Sequence, residues 1–174
     1  MNILVAVATR HGATREIAEN IGTAVGSALT EAGVWSLVEV RDAALVHSVE
    51  GFDAVVLGSA VYLGHWLEPA RKFAESFEEE LGRVPVWLFS SGPLGEQVEP
   101  AEEPVVIEDL VRLLGARGHR LFGGKLDRRA LHFPERAVVA ALRVADGDNR
   151  DWPSIRAWGR DIGASLAQAA RSVS

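Results

Sequence analysis

No cysteine occurs in the 174 residues, which excludes a disulfide framework, a thiolate metal site and a cysteine nucleophile. Long apolar runs are missing as well. The longest stretch free of Asp, Glu, Lys and Arg is the 14 residues Ala54 to Leu67, short of the roughly 18 that a bilayer span requires. Clustered basic charge is also missing. Arg128-Arg129 is the only adjacent arginine pair and the net charge is −6, so nucleic acid is not an expected partner. The start, Met1-Asn2-Ile3-Leu4-Val5, lacks the basic n-region of a signal peptide, and a cytoplasmic protein is expected. No internal repeat, low-complexity tract or Gly/Ser/Pro-rich linker divides the chain, so residues 1–174 are expected to form one domain.

What is present suits that domain. Apolar residues make up 48% of the chain and charged residues 24%, enough for a sizeable core and too much hydrophobicity for a disordered chain. Acids gather between Pro93 and Val111, where Glu96, Glu99, Glu102, Glu103, Glu108 and Asp109 stand without a base. That stretch reads either as a solvated loop and helix start or as a docking face for a basic partner.

Short β-branched runs alternate with helical periods. Ile3 to Ala8, Ala54 to Gly58 and Val84 to Phe89 are apolar on both faces, the pattern of parallel strands covered by helices on both sides. Val34 to Val40 and His119 to Gly124 are more polar and read as edge strands. Ile17, Ile21, Val25, Ala28 and Ala32 recur at helical spacing and end at Gly33. Ala70, Phe73, Ala74, Phe77 and Leu81 repeat the pattern, ending at Gly82. Val106, Leu110, Leu113 and Leu114 form a third stripe. Ile155, Trp158, Ile162 and Leu166 form the last, with Asp151 as its N-cap. Asp42 to Gly51 has room for about one helical turn. The order predicts a three-layer α/β fold, a doubly wound sheet of five parallel strands with helices on both sides; the strand order 2-1-3-4-5 is taken from the general rule for five-stranded folds of this kind, not read from these residues.

In such a sheet, ligands bind beyond the carboxyl ends of the strands. The first loop there is Thr9-Arg10-His11-Gly12-Ala13-Thr14, leading straight into a helix. A helix N-terminus offers unpaired N–H groups and partial positive charge, suited to a phosphate. The loop equally reads as an ordinary βα turn, since it has neither G-x-G-x-x-G nor a P-loop. The second, Ser59-Ala60-Val61-Tyr62-Leu63-Gly64 followed by His65-Trp66, carries two aromatics suited to stacking on a flat ring. Trp66 reads alternatively as a staple under the next helix. The third, Ser90-Ser91-Gly92-Pro93-Leu94-Gly95, could aim backbone N–H groups at the polar edge of a ring. Together the three fit a phosphorylated flat cofactor better than a metal or a catalytic triad.

Three segments, Thr9 to Ala18, Gly58 to His65 and Phe122 to Asp127, resemble the flavodoxin-like family. Within it they look most like the branch of the menaquinone-dependent protoporphyrinogen oxidases. The resemblance covers essentially the whole chain. It implies FMN, with Thr9, Arg10, His11, Gly12, Ala13 and Thr14 at its phosphate. Ser59, Ala60, Val61, Tyr62, Leu63 and Gly64 would lie along one side of the isoalloxazine, and Ser90, Ser91, Gly92, Pro93, Leu94 and Gly95 along the other. His11 stands where the usual flavodoxin loop, T-x-T-G-x-T, has its middle threonine. The oxidase branch carries a long segment before its last helix. The matching stretch here, Asp127 to Asn149, is charge-neutral and reads as a flap or short helix.

The leading expectation is therefore an FMN-binding redox protein, either an electron carrier or a quinone-linked oxidoreductase. Tyr62 and Trp66 would shield the ring, and the partner would be a redox protein or a quinone. Contact with a membrane surface and self-association stay open. No residue stands out as a proton-transfer catalyst; His65 and His132 are candidates by position alone. A cofactor-free interaction or signalling module on the same fold is the alternative. A receiver domain is disfavoured because the first strand ends Ala8-Thr9-Arg10 rather than in acids. A hydrolase is disfavoured because Leu88-Phe89 precedes Ser90 where G-x-S-x-G needs Gly. No H-E-x-x-H or paired His suggests a metal.

Overall fold

The computed structural model describes residues 1–62, 64–92, 105–126 and 147–173. In chain order it contains β1 (Asn2–Ala8), α1 (Ala13–Glu31), β2 (Leu37–Asp42), a 3-10 turn (Ala43–Leu45), β3 (Ala54–Tyr62) and β4 (His65–Trp66). Then come α2 (Glu68–Ser76), α3 (Glu78–Leu81), β5 (Val86–Gly92), α4 (Val105–Leu113), β6 (Gly118–Gly123), β7 (Lys125–Leu126), β8 (Gly147–Asp148) and α5 (Trp152–Val173).

The five long strands pair in the order β2-β1-β3-β5-β6, and every pairing among them is parallel. This is the predicted 2-1-3-4-5 winding, counted over the parallel strands. The strand faces alternate as the pleat requires. Ile3, Val5, Val7, Val56 and Phe89 pack with Ile17, Ile21 and Val25 of α1 and with Ile155, Trp158 and Ile162 of α5. Leu4, Ala6, Val55, Leu57 and Leu88 face the other way, onto Phe73 and Ala74 of α2, Leu81 of α3 and Ile107 and Leu110 of α4. Both faces are dry because a helix layer covers each. That is why the central strands read as unbroken apolar runs.

Local sequence explains most boundaries. Helix α1 ends in a Schellman motif: Gly33 has φ 77°, its N–H donates to Thr30 O at 3.0 Å, and Val34 N–H donates to Leu29 O at 2.8 Å. The Asp151 carboxylate accepts from Ser154 N–H at 3.2 Å, as an N-cap should. Close approaches depend on absent side chains. A Cβ on Gly58 would lie 2.0 Å from the Phe89 ring, its partner in the register. Cβ atoms on Gly159 and Gly163 would lie 2.8 and 2.7 Å from those of Ala24 and Ala28, so α5 rests almost on the backbone of α1.

Three expectations about element limits change. The single helix expected from Ala70 to Leu81 breaks at Phe77 (φ −117°, ψ 21°). The restart places Glu78, Glu79 and Glu80 in a first turn, where the helix dipole favours acids, and Phe77 packs edge-on against Phe73 with ring centroids 5.2 Å apart. Strand β3 extends past Gly58 to Tyr62, then returns as an antiparallel hairpin pairing Val61 with Trp66 and Tyr62 with His65. The segment read as a loop is thus largely strand. Strand β5 begins at Val86 and runs through Ser90, Ser91 and Gly92, because parallel pairing with β6 continues to the Gly92–Gly123 pair. Most of the expected flap, 127–146, lies outside the described residues. Its flanks, β7 and β8, pair antiparallel.

Candidate functional site

The carboxyl ends of β1, β3, β5 and β6 share one rim, since their strands are parallel and adjacent. Thr9 follows β1. Its Oγ1 accepts from Gly12 N–H at 3.1 Å and closes a tight turn. Gly12 takes φ 86° at the N-cap of α1 and, having no side chain, gives no cap to the first helical turn. Among the described residues, nothing lies within 4 Å of a Cβ placed there. Arg10 and His11 are exposed, while Thr14 is buried. An anion suits this turn chemically, because a helix of 19 residues begins there with no side-chain cap at its N-cap.

The hairpin after β3 lies beside this turn. The Arg10 guanidinium carbon sits 4.7 Å from the centre of the Tyr62 ring, within cation–π range. The contact ties the turn after β1 to the hairpin. Tyr62 is half-buried, and Gly64 at the hairpin tip has φ 77°, with no described residue within 4 Å of a Cβ placed there.

Several predicted site residues spend their side chains internally. Ser59 is fully buried; its hydroxyl donates to Ala60 O at 2.8 Å and accepts from Leu67 N–H at 2.9 Å. Ser90 is 2% exposed, and its Oγ meets both Trp66 Nε1 and His119 Nε2 at 2.8 Å. Ser91 is also buried. The expectation that Trp66 shields a bound ring does not hold. Its side chain is 3% exposed and packs in the core under α2, the staple reading. Ala60 and Val61 are partly buried and His65 is exposed. Gly92 accepts from Gly124 N–H at 2.7 Å, and Gly124 accepts from Asn149 N–H at 3.0 Å, which laces β5 to the start of β7 and the end of β8. Leu63, Pro93, Leu94, Gly95 and His132 lie outside the described residues, as does the acidic run Glu96 to Glu103.

Sequence reading overlooked Arg150. Its side chain, 3% exposed, bridges Glu16 at 2.7 Å and Asp148 at 2.6 Å. Its hydrogen bonds to Asp148 hold that carboxyl below the ordinary aspartate range, and those same bonds push the guanidinium pKa up. An arginine between two acids in Asp148-Asn149-Arg150-Asp151 is a weak local signal, and nothing local points to Glu16. Among the described residues no group of His, Cys, Asp and Glu is placed to hold a metal ion. No helix among them is long and apolar enough to cross a membrane.

The flavodoxin domain family model matches residues 4–152 of the chain. Three solved structures are similar to it in fold. A flavodoxin from the domain Archaea is 18% identical, over 97% of this chain and 99% of that one, with a TM-score of 0.58. An oxidoreductase from Corynebacterium diphtheriae is 15% identical, over 97% and 98%, with a TM-score of 0.61. The rubredoxin oxygen:oxidoreductase of Desulfovibrio gigas is 10% identical and matches over 97% of this chain but 36% of its own length, with a TM-score of 0.59. No curated protein sequence matches the chain.

Proposed function

The chain belongs to the flavodoxin domain family, and from that premise we propose that it binds FMN and works as a redox protein. Proteins of this family typically bind FMN, which supplies one- or two-electron chemistry when bound. The residues proposed to hold it are Thr9 to Thr14 at the phosphate and Ser59 to Gly64 and Ser90 to Gly95 beside the ring. Since the Ser59 and Ser90 hydroxyls are engaged internally, those two segments would act through their backbones and through Tyr62. The observation that carries the reading is the uncapped start of α1 at Gly12, joined to the Tyr62 ring by Arg10 on one rim. An anion at α1 and a flat ring near Tyr62 would then belong to a single ligand.

The finer reading is a quinone-linked oxidoreductase like the protoporphyrinogen oxidase branch, acting in the cytoplasm or at a membrane surface. What favours it over a plain carrier is the 20-residue stretch 127–146, which stands between the paired β7 and β8 where that branch carries its extra segment. A redox partner protein takes the quinone's place in the carrier reading.

A visible spectrum of the native protein, before and after adding FMN, tests the proposal. Flavin released from the protein, or saturable binding of added FMN, is expected. A colourless protein that neither releases nor binds FMN overturns it and leaves a cofactor-free interaction module. Electron transfer from the reduced protein to a soluble menaquinone analogue separates oxidoreductase from carrier.

A further inference from the structure

Arg150 joins the start of α1, 134 positions away, to β8 and the start of α5, which flank it in sequence. Its Nη1 donates to Glu16 Oε2 at 2.7 Å and to the Ala13 carbonyl at 3.3 Å, both in the first turn of α1. Its Nε and Nη2 donate to the two oxygens of Asp148 on β8 at 2.7 and 2.6 Å. The Trp152 ring, where α5 begins, lies 4.5 Å from the guanidinium carbon. Stability alone gives a poor reason for the arrangement. The guanidinium is buried, while the Glu16 and Asp148 side chains are 54% and 40% exposed, so solvent screens the attraction and the arginine bears the desolvation cost.

The position suggests another reason. Glu16 puts a carboxylate into the first turn of α1, four residues after Gly12. A carboxylate there complements the helix dipole, yet it repels any anion that approaches the same amides. Arg150 draws that carboxylate to itself and offsets part of its charge, the same guanidinium being shared with Asp148. It also holds the Ala13 carbonyl. The Ala13 carbonyl and the Thr14 N–H belong to one planar peptide, so fixing the first aims the second toward the N-terminal end of the helix.

We propose that Arg150 is a positioning residue for the phosphate end of the bound cofactor: it offsets Glu16 and orients the Ala13–Thr14 peptide so that the first turn of α1 receives a dianion. This rests on the FMN reading above. The same side chain links that turn to β8, so the β7–β8 ribbon and the phosphate turn form one unit.

The test compares FMN with riboflavin, which has the ring but no phosphate. Purified wild type, Arg150→Gln, Glu16→Gln and the double variant are titrated with each, and circular dichroism checks the fold. Arg150→Gln is expected to weaken FMN by about tenfold while moving riboflavin less than about twofold. Adding Glu16→Gln should recover most of that loss. Glu16→Gln alone alters a side chain that is 54% exposed, so it should fold even if Arg150→Gln does not; it is expected to tighten FMN relative to riboflavin. Equal loss for both ligands in Arg150→Gln, or an unchanged FMN-to-riboflavin ratio in Glu16→Gln, overturns the proposal. Wild type that binds neither ligand overturns the FMN reading itself, and this role with it.

Discussion

The Trp66 indole N–H donates to Ser90 Oγ at 2.8 Å, and the same oxygen meets His119 Nε2 at 2.8 Å. One hydroxyl therefore joins the return strand of the β3–β4 hairpin to the inner strand β5 and the edge strand β6. Trp66 acts here as a buried strut with a satisfied polar end, as large amphipathic rings do in cores.

Trp66→Phe removes that donor and leaves a gap beside Ser90. It should destabilise the protein by about 1–3 kcal/mol, read as the urea midpoint. FMN affinity should change little, because the ring is buried under α2. A large loss of FMN affinity with unchanged stability would instead put the indole at the ligand.

Gly58→Ala places a methyl group 2.0 Å from the Phe89 ring. The ring also packs on Phe122 and Trp158, so it has little room to shift. A loss of about 3 kcal/mol or more is expected in urea unfolding, at the severe end of overpacking. Adding Phe89→Leu should recover part of it. A neutral Gly58→Ala would mean the ring moves freely.

Gly12 takes φ 86° at the N-cap of α1. Gly12→Ala meets no neighbour among the described residues, so backbone strain sets its cost, about 1–2 kcal/mol. Gly12→Asn should cost less, since Asn tolerates the left-handed region. Thermal denaturation of the two variants checks the order.

Asp148 titrates below the ordinary aspartate range because the Arg150 side chain hydrogen-bonds to its charged form. A folded pKa below the unfolded one gives stability that is complete above about pH 4–5 and lost as pH falls through the folded value. Asp148→Asn should therefore be less stable than wild type near neutrality, and the gap should close as the pH falls toward the lower folded value. Urea midpoints across that range decide it. A gap that stays constant would show that the aspartate charge is not what Arg150 needs.

The sequence by itself determined the alternation of strands and helices and which strands are buried on both faces. Strands buried on both faces must be apolar throughout, helices packed on one side must repeat at three and four, and both signals are local. The same locality made the turn Thr9 to Thr14 readable, because a strand, a glycine and a helix start follow one another directly. Phe77 shows the limit of such signals: the apolar spacing runs on through it, while the backbone breaks there.

Only the tertiary structure decided what the side chains at the rim do. Ser90 looked like a loop residue, yet pairing with β6 keeps it in a strand and brings Trp66, 24 positions away, onto its hydroxyl. Arg150 reaches Glu16 across 134 positions. Hydrogen bonds and ion pairs depend on distances of a few ångströms, and separation along the chain carries no record of those. They are set when the helices close over the sheet.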